Sequence, residues 1–102
     1  KNKKALIGNT VVFRQLGRGT LYMYFGPQGN LTTGEDESSG GVVQSKWWMD
    51  KNGSVCRETI RKQRSKCYQW AVGENEVIYQ RPTAKVTSTY VLLKGNQVPG
   101  AN

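Results

Sequence analysis

The sequence predicts an all-β domain: an antiparallel meander of seven or eight short strands forming a small barrel (lipocalin-like) or a sandwich, with one disulfide. Three observations predict it. Turn clusters recur along the chain at the intervals that separate strands in sandwiches and barrels. The segments between them are rich in β-branched and aromatic residues, which suit a pleated, half-buried surface. Helix signals are nearly missing, because the ten-residue stretch without strong breakers, Arg57–Lys66, has no apolar stripe at helical spacing.

The turn clusters are Leu16–Gly19, Gly26–Asn30, Gly34–Gly41, Asp50–Gly53, Gly73–Asn75, Arg81–Pro82 and Lys94–Asn96. They bound strands expected near Asn9–Gln15, Thr20–Phe25, Leu31–Thr33, Val42–Met49, Ser54–Ile60, Lys66–Val72, Glu76–Gln80 and Lys85–Leu93. The links are short, and parallel neighbours need long crossovers, so neighbours should be antiparallel. Side chains alternate across a strand, which sorts the faces. Leu21, Met23 and Phe25 oppose Tyr22 and Tyr24; Tyr68, Trp70 and Val72 oppose Cys67, Gln69 and Ala71. The last strand is apolar on both faces near its end, which predicts cover on both sides there. Trp47 and Trp48 are adjacent, so one can enter the core while the other faces out.

The length, 102 residues, suits one domain at residues 6–94. Residues 1–5 read as a disordered basic arm and residues 95–102 as a flexible tail. The start at Lys1, without an apolar leader, reads as a mature or trimmed chain. No run approaches the ~18–20 apolar residues of a transmembrane helix. The oligomeric state is not legible.

"MDKNGSV" is a strong turn signal: Asp50 can cap the turn, and Asn52-Gly53 tolerates positive φ. The next turn must lie within 61–64. Centred between Arg61 and Lys62, it sets Cys56 opposite Cys67, within disulfide reach. Closing that loop stabilises by roughly 3 kcal/mol on the chain-entropy model. A disulfide implies an oxidising compartment, periplasmic or secreted; the competing reading is two buried thiols in a cytosolic protein. The same register sets Arg57 opposite Lys66.

The formal net charge of +8 favours an anionic macromolecule or small anion as partner, although it also simply keeps a small protein soluble. The basic loop Arg57, Arg61, Lys62, Arg64 and Lys66, with Glu58 as its only carboxylate, is the candidate anion site. The bland alternative is a solvated tip whose charges prevent edge association. Trp47, Trp48, Tyr22 and Tyr24 are the candidate aromatic ligand contacts. Two other uses of these aromatics stay open. Tyr22, Tyr24, Trp47 and Tyr90 could line a small-ligand pocket in a barrel mouth. Tyr22, Tyr24, Tyr68 and one of the tryptophans, beside Arg14, Arg18, Lys46 and Lys66, could stack single-stranded nucleic acid, the less favoured partner.

Catalytic chemistry finds little support. The chain has no histidine, which removes the commonest general base and metal ligand. Two cysteines without histidine cannot build an ordinary zinc site, and no cofactor-binding glycine pattern is present. Glu35, Asp36 and Glu37 lack the alternation of a calcium loop. Asn30-Leu31-Thr32 and Asn52-Gly53-Ser54 match the N-glycosylation acceptor pattern in predicted turns. We therefore expect a non-enzymatic protein with no catalytic residue, metal or cofactor.

At "LIGNT", "YFGPQGNL" and "WWMDKNGSVCRE…CYQW" the chain resembles a loose group of small secreted proteobacterial all-β proteins. That group carries a Leu-x-Gly-Asn-Thr start, an aromatic–Pro/Asp–x-Gly turn and two cysteines in successive strands. The likeness covers about Leu6 to Tyr79; Ser45 and Lys46 depart from it, standing where the group tends to have glycine before the tryptophan. The resemblance implies an all-β fold and export, and no reaction.

Overall fold

The computed structural model describes residues 2–14, 20–35, 41–58, 64–72, 77–80 and 88–99. Among the described residues a short helix, α1 (Asn2–Leu6), precedes nine strands. These are β1 (Asn9–Arg14), β2 (Thr20–Phe25), β3 (Asn30–Glu35), β4 (Val43–Met49), β5 (Val55–Glu58), β6 (Ser65–Tyr68), β7 (Trp70–Val72), β8 (Val77–Gln80) and β9 (Ser88–Lys94). They hydrogen-bond antiparallel in the order β6-β5-β4-β3-β2-β1-β9-β8-β7, one sheet curled into a half-barrel rather than a two-layer sandwich. The turn clusters at 16–19, 73–75 and 81–82 lie outside the described residues, as does most of 34–41.

The expected all-β antiparallel sheet is what the structure shows, with one expected strand divided in two. The segment read as a single strand, Lys66–Val72, changes partner at Gln69. Its first half, β6, pairs with β5, and its second half, β7, pairs with β8. Side-chain periodicity continues across the change, so Tyr68 and Trp70 stay on the same face. Periodicity reports which face a residue occupies and is silent about which neighbour its backbone bonds.

The concave face holds the core. Val11, Met23, Phe25, Leu31, Trp47, Val55, Trp70 and Leu92 are buried there, with Leu6 packed against them from α1. Their rings meet edge to face: Phe25 lies 5.1 Å from Trp47 and 5.9 Å from Trp70, centroid to centroid. Trp47 is also held by the turn Gly26–Asn30. Its backbone N–H donates to the Gly29 carbonyl at 3.0 Å, and its indole Nε1–H donates to the Gly26 carbonyl at 2.9 Å. Burying an indole requires such a partner for its N–H.

The chain ends lie against this sheet. Residues 2–5, expected as part of a disordered arm, form α1 as far as Leu6, which is fully buried. Asn9 joins both ends: its amide nitrogen donates to the Ala5 carbonyl and its oxygen accepts from Gly95 N–H. Thr10 hydroxyl donates to the Gly95 carbonyl at 2.7 Å and accepts from Gln97 N–H. The described part of the expected tail, 95–99, thus crosses the convex face, and Val98 is fully buried. Gly34 permits that crossing, since a Cβ there would stand 2.8 Å from the Val98 side chain. The cover does not extend to all of β9. Leu93, beside Thr10, is half-buried, while Val91, beside Val12, is 50 % exposed, contrary to the expectation of cover on both faces.

Trp47→Phe keeps the ring edge but leaves the Gly26 carbonyl without its indole partner. The Gly26 carbonyl keeps the Gly29 N–H, so urea unfolding should show a loss of about 0.5–1.5 kcal/mol, the net worth of one hydrogen bond; a loss near zero would show that the indole bond does not hold this turn.

Candidate functional site

The β4–β5 turn sets the register of everything that follows. Asp50 Oδ1 accepts from the N–H groups of Asn52 and Ser54, both at 2.9 Å, and Gly53 N–H donates to the Asp50 carbonyl. Gly53 sits at φ 82°, which a residue with a Cβ seldom adopts. From this turn, Trp47 pairs with Arg57 and Trp48 with Cys56; across β5 and β6, Arg57 pairs with Lys66 and Cys56 with Cys67. The two rows alternate between faces. Trp47, Arg57 and Lys66 share the concave row, while Trp48, Cys56 and Cys67 share the convex row.

The cysteines form a disulfide across a separation of 11 residues, as the hairpin spacing predicts. Cys56 is buried and Cys67 exposed. The sulfurs and the Asp50 carboxylate lie within 4.8 Å of one another, yet they make no metal site. Bridged sulfurs are not thiolates, and the Asp50 oxygen already serves the turn.

The aromatic candidates do not converge. Trp47 is a core residue, 5 % exposed, and is unable to meet a ligand while its indole bonds Gly26. Trp48 is 40 % exposed on the convex face beside the disulfide. Tyr22 and Tyr24 alternate with buried Met23 and Phe25 and so face away from Trp47 and Tyr90. The four residues Tyr22, Tyr24, Trp47 and Tyr90 therefore do not line one pocket. Strand alternation also separates Tyr68 from Tyr22, Tyr24 and Trp48, which divides the stacking surface considered for nucleic acid.

The basic candidates divide as well. Arg61 and Lys62 lie outside the described residues, as do Arg18, Asp36 and Glu37. Arg64 and Lys66 are exposed, and Arg57 is half-buried. Arg57 Nε donates to the Tyr68 hydroxyl at 3.3 Å, and its guanidinium carbon lies 5.8 Å from the Tyr68 ring centroid. Arg57 Nη1 reaches the Glu58 carbonyl at 3.5 Å. Tyr68 stacks on Trp70 at 5.3 Å and 18°. Trp70 in turn meets Tyr90 edge to face at 5.4 Å, and Tyr90 packs against Phe13 at 4.9 Å.

This cluster of Arg57, Tyr68 and Tyr90 is what residue-by-residue reading misses. The signal was present: Arg57 opposite Lys66, with Tyr68 two residues on, puts three polar groups on one face of the hairpin. Placing Tyr90 beside them needs the far edge of the sheet. Burial raises the Tyr90 pKa above the ordinary 10.0; the Tyr68 phenol beside it raises it further, and Arg57 partly offsets both.

Two outcomes test this geometry. Replacing both cysteines with alanine should lower the unfolding free energy by roughly 3 kcal/mol in urea; an unchanged midpoint would show that the bridge is dispensable. A raised folded pKa for Tyr90 means the native state holds its proton longer than the unfolded chain. That contribution is complete below pH ~10, the unfolded value, and is lost as pH rises from there through the folded value. Tyr90→Phe should remove a late-ionising phenol from the ultraviolet titration. Comparison of the chain with protein-family models, curated proteins and solved structures finds no match.

Proposed function

We propose that the protein is an exported, non-enzymatic binding module for an anionic partner, held by the β5–β6 hairpin. One observation carries the reading. Arg57 and Lys66 stand directly across from each other, and among the described residues neither has a carboxylate partner. Like charges directly opposed cost a few tenths of a kcal/mol or more, so stability alone would favour an opposite pair here. Exposed Arg64 adds a third positive charge where the chain enters β6. Exposed Trp48, on the convex face of the neighbouring strand β4, is a candidate flanking contact.

The non-enzymatic part rests on chemistry the chain lacks. It has no histidine, and both cysteines are spent in the disulfide. Asp50 is committed to its turn. Export rests on the disulfide, which persists in oxidising compartments, and agrees with the resemblance to small secreted proteins. No described helix is long and apolar enough to cross a membrane.

Ion-exchange-type affinity provides the test. The protein should be retained on immobilised heparin at low ionic strength and elute as salt rises, since counterion release governs such complexes. The double variant Arg64→Gln, Lys66→Gln should elute at markedly lower salt. Passage of the wild type through both heparin and single-stranded DNA columns at low salt would end the proposal. Tighter retention on DNA than on heparin would instead favour nucleic acid.

A further inference from the structure

The concave end of the β5–β6 hairpin carries a group of donors without a matching acceptor. Arg57 Nε is occupied by the Tyr68 oxygen, and Nη2 bonds no described residue. A phenol that accepts through its oxygen keeps its own O–H to donate. The Tyr68 hydroxyl has no acceptor among the described residues. Lys66, in the same row as Arg57, brings three more donors and no acceptor. A site built from N–H and O–H groups alone is complementary to a negatively charged oxygen.

Its surroundings define the rest of the ligand. Tyr68 is stacked flat on Trp70, and Tyr90 closes against Trp70 and Phe13. The donors are thus set into a wall of rings. Arg57 differs from Arg64 in being half-buried on the concave side. A polyanion lying over the hairpin reaches Arg64 and Lys66 readily; Arg57 and the Tyr68 hydroxyl suit a small group that enters the curl. Arg57 Nη2 and the Tyr68 hydroxyl can each serve one oxygen of a carboxylate.

Resting on the anion-binding reading above, we propose that this site takes a small aromatic carboxylate. The carboxylate accepts from Arg57 Nη2 and the Tyr68 hydroxyl, Lys66 neutralises its charge from the rim, and the ring lies against Tyr90 and Phe13. Tyr68 then has two tasks, orienting the guanidinium through Nε and donating its proton to the ligand. Ring-to-ring contact supplies discrimination against aliphatic acids of similar charge.

Benzoate is the probe, with benzamide as its uncharged analogue and acetate as its ringless one. Calorimetric titration of the oxidised full chain should detect benzoate, with benzamide and acetate each at least about tenfold weaker, the scale of one charge-assisted hydrogen bond or one ring contact. Tyr68→Phe keeps the stacked ring and removes only the hydroxyl, so it should fold and weaken benzoate about tenfold. Arg57→Lys keeps the charge without the fork and should weaken it similarly. Lys51→Gln, at an exposed charge in the β4–β5 turn, should leave benzoate affinity unchanged. Heparin retention without benzoate binding would overturn the carboxylate site and leave the anionic reading standing. Benzoate binding that is indifferent to both Tyr68→Phe and Arg57→Lys would place it elsewhere and overturn the proposal equally. Failure on heparin and on benzoate alike would remove both.

Discussion

The structure depends on one residue of chain, Gln69, between the two edge strands of the sheet. β6 and β7 stand at opposite ends of the strand order, yet Tyr68 and Trp70 are separated by two backbone steps. Consecutive Cα atoms are 3.8 Å apart, so those two residues are held within ~7.6 Å. A flat sheet of nine strands at ~4.8 Å spacing would part them by several times that distance. The sheet must therefore curl until its two edge strands come together at Gln69. Curling creates an inside, toward which the buried core residues Val11, Met23, Phe25, Leu31, Trp47, Val55, Trp70 and Leu92 are turned. It also leaves little long, flat edge for another chain to extend.

Trp70, on the far side of that joint, makes the curl cohere. Its ring touches Tyr68, Phe25 and Tyr90, which come from three different strands. Phe25 passes the packing on to Trp47, whose indole is anchored in the β2–β3 turn. The interior is thus one connected set of rings running from the Gly26–Asn30 turn to the Arg57 cluster. Near the turn it is apolar, with Phe25 and Leu31 fully buried. Near Arg57 it ends in hydroxyls and a guanidinium, and that change of character is what makes the second region a candidate site.

The disulfide and the charge pair on the same hairpin are linked by the two-residue period of a strand. Cys56 and Cys67 face outward, so Arg57 and Lys66, one step along each strand, must face inward as an opposed pair. The covalent bond contributes roughly 3 kcal/mol, which exceeds the few tenths lost to like-charge opposition. The bridge therefore allows a charge arrangement that strand pairing by itself would disfavour. The residues of "LIGNT" have an equally local explanation. Gly8 N–H donates to the Phe25 carbonyl, Asn9 bonds both chain ends, and Thr10 is buried under the C-terminal segment. This motif serves closure of the fold rather than contact with a ligand.

What the sequence by itself determined is local and periodic. Turn residues placed Gly26–Asn30 and Asp50–Gly53, alternation put Met23 and Phe25 on one face and Tyr68 and Trp70 on one face, and equal spacing about Arg61–Lys62 paired Cys56 with Cys67. Each follows from backbone sterics or from the strand period, which act over a few residues. The tertiary structure alone decided three things: that Trp47 rather than Trp48 enters the core, that residues 95–99 are bound instead of loose, and that Tyr90 joins Arg57 and Tyr68. The two tryptophans have opposite parity, and only the carbonyl of Gly26, brought up from the β2–β3 turn, distinguishes them. Val98 is buried because Gly34, distant in sequence, leaves room for it. Tyr90 reaches the cluster because Gln69 draws the sheet's edges together, a consequence of chain connectivity that no short window of residues contains.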